Sequence, residues 1–113
     1  MKNKFHILLS GGNNTLNIQT KKTDDALSVS LEGRLDTTTA PQLEATLKKE
    51  LGSVKALDFD FSALEYLSSA GLRVLLSAQK VMNKQGSMKI HQVSETIMEI
   101  FEVTGFTDIL TIE

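Results

Sequence analysis

The 113-residue sequence has no cysteine, no tryptophan and a single proline, Pro41. Without cysteine there are no disulfides and no thiolate metal sites, a composition that fits a reducing compartment. A cytoplasmic protein is expected. Aromatic residues make up only 5% of the chain. The 12 basic and 14 acidic residues are interspersed and leave a net charge of -2. No basic arm or single-sign block exists, so direct nucleic-acid binding has no electrostatic support. No apolar run approaches the roughly 20 residues that cross a bilayer, and no membrane insertion is expected. Near the start, Phe5–Leu9 is too short for a signal peptide, and no A-x-A-like cleavage site follows it. Histidine is confined to His6 and His91, a weak basis for a metal site. The sequence contains no G-x-S-x-G elbow and no glycine-rich phosphate loop. Neither catalysis, a metal nor a cofactor is expected.

What is present is a hydrophobic content of 41%, enough for one compact domain. Residues 1–14 end in Ser10-Gly11-Gly12-Asn13-Asn14, a flexible composition. They are expected to form an N-terminal tail ahead of a domain spanning residues 15–113. Residues 15–20 alternate, with Leu16 and Ile18 on one face. A polar turn over residues 21–25 follows, and then residues 26–32 alternate, with Leu27, Val29 and Leu31 inward. The two runs predict an antiparallel pair. Thr39 and Gln42 stand at capping-box spacing, Pro41 falls in the first helical turn, and Leu43, Leu47 and Leu51 recur on one face. Residues 55–61 predict the next strand, from Leu57, Phe59 and Phe61. An apolar helix is expected from Gly71 to about Lys84, a strand over residues 87–93, and a third helix capped by Ser94. A short terminal strand is expected within residues 109–112. The order β-β-α-β-α-β-α-β defines an α/β domain. It predicts a mixed sheet with helices packed against it, parallel neighbours joined by right-handed crossovers and an antiparallel pair at one edge.

One stretch is unusual. In "LEYLSSAGLRVLL", residues 64–76, two serines stand where a loop enters the apolar helix, and Ala70 and Gly71 leave them unshielded. Ser69 reads as a helix N-cap worth about 1 kcal/mol, since a serine hydroxyl satisfies one of the free N–H groups there. A nucleophilic serine would need a base within reach, and no constellation supplies one. A phosphorylated serine would sit well at a helix entrance, where the dipole and free N–H groups favour an anion.

The stretch "DFSALEYLSSAGLRVLL", residues 60–76, resembles the signature of STAS-domain anti-sigma factor antagonists. "LEGRLDTTTAPQLEATL", residues 31–47, resembles that family's other landmark, a Gly-Glu-Leu-Asp stretch before a capped helix, and "VSETIMEIFEVTGFTDIL" is similar to its third helix and terminus. Arg34 stands where the family commonly has glutamate, Ser68 where it has aspartate, and Ala70 where it has a second Ser or Thr. The resemblance implies a STAS-like fold and a non-enzymatic protein that binds an anti-sigma factor serine kinase and frees a sigma factor. The kinase switches it off by phosphorylation at Ser69, with Ser68 a fallback acceptor, and a serine phosphatase resets it. Asp36, Thr37, Thr38, Ser68, Ala70, Gly71 and Arg73 are the implied partner contacts, and Asp60 the implied support for the acceptor loop. The alternative is a STAS scaffold without a working phosphoserine, in a signalling or transport-associated assembly. A small-ligand or nucleotide-binding domain ranks third.

Overall fold

The structure is a computed structural model that describes residues 15–113; the tail expected over residues 1–14 lies outside the described residues. Strand β1 (Leu16–Thr23) and strand β2 (Ala26–Leu35) form an antiparallel hairpin. The polar turn expected over residues 21–25 is shorter than that: Lys21, Lys22 and Thr23 pair with Ser28, Leu27 and Ala26, and Asp24 turns the chain at φ 55°. These β1 residues are exposed, so no apolar alternation marks them as strand. Helix α1 (Ala40–Glu50) follows, then strand β3 (Ala56–Leu67), helix α2 (Ser69–Gln85), strand β4 (Ser87–His91) and helix α3 (Glu95–Thr104).

The four strands lie in the order β1-β2-β3-β4, with β2, β3 and β4 parallel. Aligned rows run across the sheet. Leu27, Leu57 and Met88 form one, and Val29, Phe59 and Ile90 the next. All six are buried under the helices. The alternate rows, Ser28-Asp58-Lys89 and Ser30-Asp60-His91, are half-buried or exposed. Strand side chains alternate between faces, so one face of the sheet is apolar and covered while the other is polar. Phe61 joins the layers. Its ring lies 5.7 Å from that of Phe59 and stacks at 6.4 Å on Phe101 of α3.

Helix α1 buries Ala40, Leu43 and Leu47, as its four-residue spacing requires. Helix α2 buries Leu72, Val74, Leu75, Ala78 and Met82, but it is not apolar all round: Arg73, Ser77, Lys80 and Val81 are exposed. Ser94 caps α3 by accepting from the Ile97 N–H at 3.3 Å, and Gly105 ends the helix in the left-handed region at φ 80°. The terminal strand is reduced to one parallel bridge, Ile112 to Ile90, after a 3-10 turn over Phe106–Asp108. Ile90 N–H donates to Thr111 O at 2.9 Å and Glu113 N–H to Ile90 O at 2.8 Å.

Strand β3 continues to Leu67, well beyond Phe61, where sequence alternation predicts its end. Its register against β2 slips twice, between Ser30 and Glu32 and between Gly33 and Arg34. Each slip adds a residue to β3, so its buried positions pass from Leu57, Phe59 and Phe61 to Leu64 and Leu67. That three-residue spacing hides the strand.

Candidate functional site

The bulged half of β3 carries its end level with the end of β2, where Leu35 pairs with Leu67. The chain turns into α1 at Asp36 and into α2 at Ser68, and the Ser68 N–H donates to Leu35 O at 2.9 Å. The two turns therefore lie side by side at the carboxyl edge of parallel strands, a location that favours binding sites in such folds.

The Asp36 turn is closed on itself. Asp36 Oδ1 accepts from the Thr38 hydroxyl at 2.8 Å, the Thr38 N–H at 3.0 Å and the Thr39 N–H at 3.1 Å. Thr39 Oγ1 accepts from the Asp36 N–H at 2.8 Å and donates to Arg34 O at 2.8 Å. The capping box expected between Thr39 and Gln42 does not form. The Thr39 hydroxyl is committed to the turn, and Gln42 Nε2 instead donates to Leu16 O at 3.0 Å, tying α1 to the start of β1. Burial pushes the Asp36 carboxyl up, but donors from the Thr38 hydroxyl, the two N–H groups and the Thr39 hydroxyl more than offset it and hold the group below the usual carboxylate range. Its contribution to stability is thus complete above the ordinary value of 3.8 and is lost as pH falls through the lower folded value. Asp36→Ala should be about 2 kcal/mol less stable than the parent in urea at pH 7, and the gap should narrow below pH 3.8.

Ser68, not Ser69, is the N-cap of α2, with extended backbone at φ -100° and ψ 176°. Its bond to Leu35 holds it in strand geometry, and the helix begins directly after it. Yet its hydroxyl caps nothing: Oγ is buried and has no hydrogen-bond partner among the described residues. Ser69 is the first helical residue and is exposed. Ser69→Ala should therefore change stability by less than about 0.5 kcal/mol, not by the roughly 1 kcal/mol of a lost cap, as a thermal melt can check.

Of the other residues singled out by sequence, Thr37, Thr38 and Arg73 are exposed at this edge and Ala70 is half-buried. Gly71 is buried and offers no surface to a partner. A Cβ there would lie 2.7 Å from Leu35 Cγ and 2.7 Å from Leu67 Cδ1, so the glycine lets α2 start directly over the two strand ends. Asp60 does not reach the serine turn. Its Oδ1 accepts from the Ser62 N–H at 2.8 Å and braces the first bulge of β3.

Two residues join the site that sequence reading does not place there. Arg34 and Tyr66 are register partners, and the guanidinium carbon lies 4.2 Å from the Tyr66 ring centroid. Arg34 Nε also lies 3.6 Å from Asp36 Oδ2. Tyr66, the sole tyrosine, falls in the stretch that reads as loop, and its pairing is visible only once the bulges fix the register. Among the described residues there is no group of three or more His, Cys, Asp or Glu placed to hold a metal.

The sheet is parallel at its centre, has one face covered by helices, and carries paired strand-to-helix turns at its carboxyl edge, where such α/β folds place binding sites. Comparison with known proteins gives the kind of domain. Residues 17–113 match the STAS domain family. The chain is 30% identical over 98 residues to an anti-sigma-B factor antagonist of Bacillus subtilis (strain 168), covering 86% of this chain and 90% of that one. Its fold superposes on an anti-sigma factor antagonist from Mycobacterium paratuberculosis with a TM-score of 0.81 at 25% identity, over 88% and 86% of the two chains. It also shares the fold of the Bacillus cell fate determinant SpoIIAA in its phosphorylated form, with a TM-score of 0.68 at 20% identity over 86% and 91%. The chain belongs to the STAS-domain family of anti-sigma factor antagonists. Members of that family are regulatory, non-catalytic domains.

Proposed function

We propose that this protein binds an anti-sigma factor that is also a serine kinase, releases the sigma factor held there, and is switched off when the kinase phosphorylates Ser69. A serine phosphatase would restore it, in the cytoplasm. The observation that carries the reading is the exposed Ser69 at the first position of α2, above a base held by Leu35, Leu67 and Gly71. A kinase can reach its hydroxyl without disturbing the core. A phosphate there would carry about -1.5 to -2 charges at pH 7 and meet free helix N–H groups, so the domain itself tolerates it. The docked partner does not, because the charge enters its interface. The closed Asp36 turn supplies a fixed neighbouring surface through Thr37 and Thr38. Ser68 is a poor acceptor in this geometry, since its Oγ is buried.

The protein should be mixed with the host's serine-kinase anti-sigma factors and ATP. A complex should form and then dissociate as the antagonist gains roughly 80 Da, one phosphate, on Ser69. A stable complex with no mass gain would favour the scaffold role, and no complex with any of those kinases would overturn the antagonist reading.

A further inference from the structure

We propose that the groove between α1 and α2 is a docking site for the chain's own apolar segment, Phe5–Leu9. The groove encloses a cavity of about 280 Å³. Its floor is made by Leu47, Leu51, Val74 and Ala78, all buried, and Val81 stands in its wall. Among the described residues of the two helices, Val81 is the one large apolar side chain left exposed, at 41%. The rim carries one charge of each sign, Glu44 and Lys48, at i,i+4 spacing, so the groove presents no net charge. The Gln85 side-chain amide at its end already donates to Leu51 O and Val54 O. The occupant that fits such a surface is apolar, not a charged peptide or a nucleic acid.

The sequence supplies that occupant. Phe-His-Ile-Leu-Leu, outside the described residues, is joined to the domain by Ser10-Gly11-Gly12-Asn13-Asn14. The chain enters the domain beside α1: Thr15 O accepts from the Arg34 N–H at 2.9 Å, and Leu16 O from Gln42 Nε2 at 3.0 Å. At about 3.6 residues per turn, Gln42 lies on the side of α1 opposite Leu47 and Leu51, so the segment has one helix to cross. A helix with its side chains is about 10–12 Å wide, and the five residues 10–14 reach about 17 Å when extended. The tether therefore spans the distance. It also holds the segment near the groove at an effective concentration of about a millimolar, so a weak apolar contact suffices. A separate apolar partner has to displace it.

The chain has no cysteine, so a nitroxide attached to Lys4→Cys in the full-length protein is a single label. It should broaden the amide resonances of Ala78 and Val81 more than that of Lys22, at the far end of the open β1 edge. The Ile7→Asp/Leu8→Asp double variant of the labelled chain should lose the broadening at Ala78 and Val81. Val81→Asp, at an exposed position, should lose it at Ala78 as well, and a spectrum otherwise like the parent's shows that each variant is folded. Four outcomes would overturn the proposal. They are no broadening at Ala78 and Val81, broadening at Lys22 as strong or stronger, broadening that survives either aspartate variant, or equal broadening of an unlabelled chain by a labelled second copy. No kinase takes part, and neither Ser69 nor the antagonist reading is involved in the result.

Discussion

Gly86→Ala should lower the unfolding free energy by about 3 kcal/mol and the melting temperature by roughly 12 °C, the largest stability loss expected from a single added methyl group. Gly86 follows α2 directly, and its N–H donates to Met82 O at 2.7 Å. Its φ of 175° is ordinary extended backbone, so the requirement is for space. A Cβ at this position would lie 1.8 Å from the backbone oxygen of Lys55. That oxygen cannot swing aside as a side-chain tip could. It accepts from the Ser87 N–H at 2.9 Å and opens the parallel register in which Ala56 faces Ser87. Gln85 secures the same corner, donating through Nε2 to Leu51 O and Val54 O, each at 2.7 Å. Any shift that makes room for the methyl group must therefore break the start of the β3–β4 ladder. Gly52→Ala is the matched control, because nothing lies within 4 Å of a Cβ there. If both variants melt within a degree or two of the parent, the close approach at Lys55 is not a constraint on the fold.

Ser69→Asp should bind the kinase partner at least about 100-fold more weakly than the unmodified protein while melting at nearly the same temperature. The two halves of this result come from one location. At the first turn of α2 a carboxylate is favourable for the domain by a few tenths of a kcal/mol, through the helix dipole. At the partner's surface the same charge is desolvated without a counter-charge and competes for Arg73, a loss of about 3 kcal/mol, or two decades in affinity. Ser69→Ala, which adds no charge, should bind as tightly as the parent and resist the kinase. Calorimetry on the three proteins separates charge from bulk: if Ser69→Asp binds like the parent, the electrostatic account of the switch fails.

The regular part of this fold is legible in the sequence because each element follows one period. Leu27, Val29 and Leu31 keep the strand period of two, and Leu43 and Leu47 keep the helical one. The edge that carries the candidate site breaks both rules. The stretch from Phe61 to Leu67 would be readable as strand only with alternation, but Phe61, Leu64 and Leu67 are spaced by three because β3 carries two extra residues. That irregularity conceals Tyr66, and with it the stack on Arg34. Helix α2 begins at Ser69 rather than Gly71, and its N-cap is Ser68 rather than Ser69, for a related reason: Ser68 looks like part of a loop, but its N–H continues the pairing with β2. Thr39 and Gln42 have the spacing of a capping box and serve other partners, since Asp36 gathers the threonine and Leu16 O takes the glutamine. Ser69, Asp36, Thr37, Thr38 and Arg73 are legible because small and polar residues between apolar runs are visible as such. What they build together depends on long-range register.

Thr111, Ile112 and Glu113 lie along the outer edge of β4. Beyond β4 the sheet would end in a bare row of donors and acceptors, a template onto which a strand from a second molecule can add. Thr111 and Glu113 already hold the backbone of Ile90, and the Glu113 side chain reaches Lys89 Nζ at 3.4 Å and His91 Nδ1 at 3.7 Å. A molecule trimmed after Leu110 keeps its core but presents that row uncovered, and concentrated solutions of it should form edge-to-edge aggregates that the intact protein resists.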